Sequence, residues 1–378
     1  MRWKRIGVLL FVLLGTLLST LWWYHSRHDR SLEPPPQVRS RPTPAPTTPV
    51  TPPAPSQRPQ ASPPELSGPN PAELRDLTRK GEWPRLVYIP EGDSGTIFAS
   101  LKRQGLPLWG LDRFLLLPSK VRPGWIRLQE PISLKEFFER INDFPREKTR
   151  RVVMYSGDSL DDFIRQFSRQ TRLEPKDLYE EYFRFSPYVE GGILAGFYRL
   201  PYRLTPEPSM AYLTEKSEEI FRKLAEQYLG EYDPAAFKRY LIVASIIQRE
   251  SWKSAEMPLI AAVIYNRLKR GMKLQMDATL NYGPWSHRRV TPERIRRDSS
   301  RFNTYRYKGL PPEPIGSVTI DALRAALAPA KTEDLYFVRN IYGTHDFAAT
   351  YAGHLANISR IKAERAKLEK TKRKLKGR

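Results

Sequence analysis

The spacing of apolar residues changes several times along the chain. From Ile6 to Tyr24, IGVLLFVLLGTLLSTLWWY runs for 19 residues without a charge, about the length of one helical bilayer crossing. From Ser31 to Asn70 apolar positions almost vanish, and 14 of the 35 prolines lie there, so this stretch predicts an extended tether of polyproline character at about 3.1 Å per residue. Folded sequence begins near Trp83. Short apolar runs then alternate with helically spaced positions as far as residue 210, and from about Ala211 to Ser359 the helical spacing dominates.

Within the first folded region, RLVYIPEGDSGTIFASLKRQG predicts a strand, a turn at Gly92, a cap at Asp93 or Ser94 and a short helix ending at Gly105. Ser133 and Glu136 in SLKEFFERI have capping-box spacing ahead of Phe137, Phe138 and Ile141. From Arg151 a strand leads to Gly157, the cap pair Asp158 and Ser159, and a helix with Leu160, Phe163, Ile164 and Phe167 on one side. This GDSL stretch and its following helices resemble a LysM module, which implies a small α+β unit that binds cell-wall glycan. Further on, Asp233 and Pro234 start a helix, with Phe237, Leu241, Ala244 and Ile247 on one stripe and Val243, Ile246 and Glu250 on the next. A second helix, PLIAAVIYNRLKR, buries Ile260, Val263, Ile264 and Leu268 and stops at Gly271. Ile320, Leu323 and Leu327 mark another helix, and DLYFVRN reads as a strand.

The fold class is therefore α+β. Residues 1–5 form a cytoplasmic tail, 6–24 a transmembrane helix, 25–82 a Pro-rich linker, 83–150 an N-terminal α+β module, 151–210 the LysM-like module, 211–360 a mainly helical domain and 361–378 a basic tail, either helical or disordered. Trp22, Trp23 and Tyr24 close the apolar run where a cleaved leader would have small residues, which marks an anchor at the membrane interface. Basic residues flank both ends, with Arg2, Lys4 and Arg5 before and Arg27 and Arg30 after. The expected arrangement is a cytoplasmic N-terminus and a body outside the plasma (inner) membrane.

Composition then narrows the chemistry. The formal charge of +22 implies anionic partners, and an extracytoplasmic body makes them wall polymers or headgroups, with no nucleic acid. The chain has no cysteine, which excludes disulfides, thiolate metal sites and cysteine nucleophiles. GxSxG, a phosphate loop, GxGxxG and HExxH are all missing, and the five histidines lack metal-ligand spacing, so no metal and no cofactor are expected. What remains is a carboxylate. Glu250, in IIQRESW, sits at the end of a helix that has been burying its side chains, where apolar surroundings raise a carboxyl pKa and equip it to donate a proton near neutrality. The ordinary alternative for such a glutamate is solvation, or a pair with Arg249 or Lys253.

The stretch ASIIQRESWKSAEMPLIAAVIYNRLKRGMKLQMDATLNYG, continued by FNTYRYKGLPPEPIGSVTIDALRAALAPAKTEDLYFVRN and THDFAAT, resembles the catalytic core of the endolytic murein transglycosylase, or YceG-like, family over roughly residues 240 to 357. The resemblance implies cleavage of peptidoglycan glycan strands between MurNAc and GlcNAc without water, leaving 1,6-anhydro ends, with Glu250 as the catalytic residue. Gln248 stands where the family often has a second glutamate. LQMDAT departs from the family's LQTDPT at Met276 and Ala278, and EGGILAGFY keeps Glu190, Gly191 and Tyr198 of EGYLFPDTY without its aspartate.

Gln275, Asp277, Asn303, Tyr305 and Glu190 are the candidate substrate-binding residues, and Asp277 and Glu256 the other carboxylates that could touch substrate. A capping role is the alternative for Asp277, and a loop with hydrogen-bonded turns the alternative for Asn303 and Tyr305; Glu256 stands just ahead of Pro258. The implied partners are glycan strands, the membrane and cell-wall synthases. A wall-binding scaffold without catalysis is the rival reading.

Overall fold

The computed structural model describes residues 80–81, 86–109, 112 and 120–376. The expected membrane segment 6–24 and almost all of the Pro-rich linker lie outside them. Among the described residues no helix is long and apolar enough to cross a membrane.

The first unit contains β1 (Lys80–Gly81), β2 (Leu86–Ile89), α1 (Ser94–Arg103), β3 (Gly124–Arg127), β4 (Ile132–Ser133) and α2 (Leu134–Glu139). β2 and β3 pair antiparallel with Val87 opposite Ile126, and β1 pairs with β4. Val87, Ile89, Leu101, Ile126, Phe137 and Phe138 form its core. Asp93 caps α1 by accepting from Thr96 N at 2.7 Å. Only half of the expected capping box forms on α2. Ser133 Oγ accepts from Glu136 N, but the Glu136 carboxylate pairs instead with Arg140 one turn later, at 2.8 Å.

The second unit is a strand–helix–helix–strand motif: β5 (Thr149–Met154), α3 (Leu160–Thr171), α4 (Pro175–Phe185) and β6 (Gly196–Pro201). Its strands pair antiparallel with Val152 opposite Tyr198. Ser159 caps α3 with a full capping box to Asp162, and Phe163, Ile164, Phe167, Leu178 and Tyr182 fill the core. Trp125 of the first unit donates Nε1–H to Arg199 O at 3.0 Å, which ties the two units together.

α5 (Pro206–Leu229) crosses into the helical region: Met210 and Leu213 pack in the second unit, whereas Phe221, Leu224 and Ala225 join the next core. There α6 (Pro234–Glu250), α7 (Met257–Lys269) and α9 (Ile320–Leu327) pack around Leu241, Ala244, Ile247, Ile260, Ile264 and Leu323. The short α8 (Pro292–Arg297) lies in the loop region between α7 and α9. Asp233 caps α6 through Ala235 N and Ala236 N. The hairpin β7 (Tyr336–Arg339) and β8 (His345–Ala348) follows, and then α10 (Tyr351–Lys376). The basic tail is thus helical as far as Lys376, continuing a helix that begins before it.

A backbone interlock joins the second unit to the helical region. Gly157 N donates to Ser317 O at 3.0 Å, and Ser317 N donates to Asp158 O at 2.8 Å. A side chain at Gly316 would meet Gly157 O at 2.6 Å, so only glycine permits the approach.

Candidate active site

The helical stripe that buries Val243 and Ile246 carries Glu250 inward on the last turn of α6. Ser251 ends the helix in extended conformation with its N–H on Ile247 O. Glu250 faces the backbone N–H of Ala278 with its carboxylate. Burial pushes its carboxyl up to about 7, the nearby Asp277 charge adds to the rise, and the Ala278 N–H opposes it.

Glu250 forms no ion pair among the described residues. Both neighbours proposed to neutralise it turn elsewhere. Arg249 donates to Ser286 Oγ at 2.7 Å and faces Glu190, Asp162 and Asp158. Lys253 lies over the Trp252 ring at 5.6 Å.

Three clefts meet at Glu250. One, of about 380 Å³, runs past Asp277, Ala278 and Asn281 to Gly157 and His287. A second, of about 210 Å³, runs past Asp277, Gln275, Tyr305 and Phe337. The third, of about 170 Å³, runs past Ser251, Trp252, Arg339 and His345. An acid at such a junction can reach a bond in the middle of a long substrate.

Asp277 opens a short 3₁₀ turn, Asp277–Leu280, and its Oδ1 accepts the Tyr305 hydroxyl at 2.7 Å. The strap that carries it is fixed from behind. Gln275 N donates to Thr304 O, Met276 N to Thr304 Oγ1, and Arg267 reaches Leu274 O and Leu335 O at 2.6 Å each. Gln275 has φ +53°, and it is exposed and lines the second cleft. Gln275, Asp277 and Tyr305 are therefore brought together beside Glu250.

The other candidates lie elsewhere. Asn303 is fully buried and braces its loop: Nδ2 donates to Ile295 O and Asp298 O, and Oδ1 accepts from Tyr305 N. Glu190 lines none of the three clefts. Its carboxylate takes the N–H groups of Leu160 and Gly191 at the start of α3, where burial pushes it up to about 7 against those hydrogen bonds and Arg249. Glu256 is also buried, accepting from His345 N at 2.6 Å and Ser251 Oγ at 3.1 Å. Gln248 accepts from both Thr319 N and Thr319 Oγ1, locking α6 to the start of α9.

Sequence reasoning missed the clustering of His287 with Asp158 at 3.2 Å and Asp162 at 3.7 Å, with ligand atoms within 4.8 Å of one another. The pairing spans 129 residues, so no local spacing could reveal it. Trp252 and Arg339 were missed as cleft residues too. The one available signal was a tryptophan placed directly after a helix end.

The model of the YceG-like family matches residues 87–360. The chain is 34% identical over 152 residues to the endolytic murein transglycosylase of Bacillus subtilis, covering 39% of this chain and 42% of that protein. It is 34% identical over 316 residues to the endolytic murein transglycosylase of Streptococcus pneumoniae, covering 72% of this chain and 57% of that one. The chain thus spans about half the length of the curated relatives it matches. A crystal structure of a yceG-like protein from Listeria monocytogenes superposes with a TM-score of 0.47 at 20% identity, over 72% of this chain and 97% of that one.

Proposed function

Because the chain belongs to the YceG-like family, we propose that it cleaves peptidoglycan glycan strands, as the names of its relatives describe, with Glu250 as the single acid–base group. The protonated carboxyl gives its proton to the oxygen that bridges MurNAc and GlcNAc as the C1–O bond breaks. The carboxylate then takes the proton of the MurNAc C6 hydroxyl as that oxygen bonds to C1 and closes a 1,6-anhydro ring. Glu250 returns to its starting state and no water enters. Positive charge gathers at C1 during the step, and the Asp277 carboxylate beside Glu250 is suited to stabilise it. The chemistry requires no cofactor.

The observation that carries this reading is Glu250 itself: unpaired among the described residues, held near pKa 7, and placed where the clefts join. Asp277 also supports a second reading, hydrolysis, because a second carboxylate could activate water. Mass analysis of glycan strands digested by the full chain in detergent separates the two. Anhydro ends that disappear in Glu250→Gln are expected. Reducing ends would identify a hydrolase, and uncut but retained strands a non-catalytic wall-binding scaffold.

The apolar segment 6–24 and the aromatic residues that close it support a single-pass anchor in the plasma membrane, with the body on the extracytoplasmic side. The strand–helix–helix–strand unit over 149–201 supports a LysM-like role in holding glycan next to the cutting site.

A further inference from the structure

A strand threaded past Glu250 needs two of the three clefts. The two that share Asp277 both adjoin the proposed acid and its neighbouring carboxylate, and suit the sugars flanking the cut. The third cleft does not reach Asp277 and differs in character. Apart from Glu250 it has no carboxylate in its lining, whereas Arg339 lines it and no other cleft of the three; Arg249 borders both this cleft and the first and faces Glu190, Asp162 and Asp158. Arg339 is exposed and makes no ion pair among the described residues. Lys253 adds a second cation beside Trp252, 5.6 Å from its ring. Trp252 and Tyr342, each 75% exposed, are the most exposed large apolar side chains among the described residues; Trp252 lines this cleft, and Tyr342 precedes its lining residue Gly343.

The wall is also built to stay in place. Asn340 accepts from Tyr342 N and Thr344 N and donates to Thr344 Oγ1 and Asp346 Oδ1, which fixes the β7–β8 turn. Glu256 joins that hairpin to the α6–α7 turn through His345 N and Ser251 Oγ. Arg339 and Trp252 therefore face the cleft from two elements held together by a buried carboxylate. A pre-set cationic and aromatic wall suits a flexible substituent ending in carboxylates, with an apolar portion that covers the indole.

Building on the reading of the chain as a glycan-cleaving enzyme, we infer that the Trp252–Arg339 cleft receives the acidic peptide stem carried by the sugar at the cutting site, with Arg339 pairing a stem carboxylate and Trp252 packing against the stem next to the sugar ring. It is a specificity site, separate from the proton transfer.

The test compares strands with intact stems, strands with stem carboxylates amidated, and strands stripped of stems by an amidase, using the full chain in detergent. The native enzyme is expected to have a KM about tenfold lower for intact strands than for the other two. Arg339→Gln should abolish that preference by raising KM on intact strands alone, with kcat little changed, and Arg339→Lys should restore part of it. Trp252→Ala should raise KM on intact strands in the same direction. Unchanged cleavage of stripped strands reports that each variant is folded. An equal loss on all three substrates, or no preference in the native enzyme, would overturn the inference. Should the native enzyme cut none of them, the catalytic reading fails by itself. Binding of the three strands to Glu250→Gln, followed by tryptophan fluorescence, still decides the cleft: an Arg339-dependent preference for intact stems supports it, and equal binding rejects it.

Discussion

Tyr305 donates its hydroxyl to Asp277 Oδ1 at 2.7 Å, and that bond holds a carboxylate beside the proposed catalytic acid. Asp277 raises the Glu250 pKa by its charge, so the acid is tuned by a neighbour that is itself held in place. Replacing Asp277 by Asn removes the charge and lets Glu250 release its proton more readily. The alkaline limb of the kcat/KM profile, expected near pH 7 in the native enzyme, should move to lower pH in Asp277→Asn while measurable turnover persists. Complete loss of activity, with no shifted limb, would assign Asp277 a direct chemical part as in a hydrolase.

Tyr305→Phe keeps the ring and removes only the hydrogen bond. Asp277 is then free to rotate, and activity should fall by roughly tenfold, in keeping with one charge-assisted hydrogen bond. Stability should change much less, since Tyr305 is only half-buried. Thermal melting measured beside turnover checks the contrast.

Glu250→Gln bears on folding as well as catalysis. A carboxyl whose folded pKa is near 7 and whose ordinary value is 4.5 binds more protons in the folded state between those values. Folding stability from this group is therefore full below about pH 4.5, falls as pH rises toward 7, and stays low above that. Glutamine carries no such penalty. The variant should be more stable than the native chain at pH 8, by up to about 3 kcal/mol, with the gap closing below pH 5. Denaturant melts at both pH values measure it, and an equal gap at the two would contradict the buried acid.

How much of this was readable in the sequence depended on the distance over which each feature is fixed. The cap at Asp233 and the buried stripes of α3, α6 and α7 follow from local spacing, which left Asp93 or Ser94 and Asp158 or Ser159 open as the other caps; the structure uses Asp93 and Ser159. The position of Glu250 at the end of a buried stripe was equally local. What local spacing cannot show is which cleft a side chain faces. Asn303 and Glu190 have residue types suited to binding sugar, yet one braces its own loop and the other caps α3. Arg339 reaches the site by way of a hairpin nearly ninety residues downstream of Glu250. The Gly157–Ser317 interlock depends on two loops that meet only in the folded chain.

Asn303→Ala leaves the carbonyls of Ile295 and Asp298 and the N–H of Tyr305 without their buried partner. The expected destabilisation is about 2–4 kcal/mol. Because Tyr305 follows Asn303 on the same loop, turnover should fall in the part of the population that remains folded. Denaturant titration and activity per folded molecule separate these effects.

The interlock offers the last prediction. A methyl group at Gly316 would stand 2.6 Å from Gly157 O and 3.0 Å from Asp158 O, both backbone atoms that cannot rotate away. Gly316→Ala must therefore push the 155–158 turn off the helical region. That turn lines the largest of the three clefts through Ser156 and Gly157. The variant should lose about 1–3 kcal/mol of stability. Its KM for long strands should rise more than its KM for short ones that do not fill that cleft. Equal KM changes on long and short strands would show that the turn supports the fold without touching the glycan.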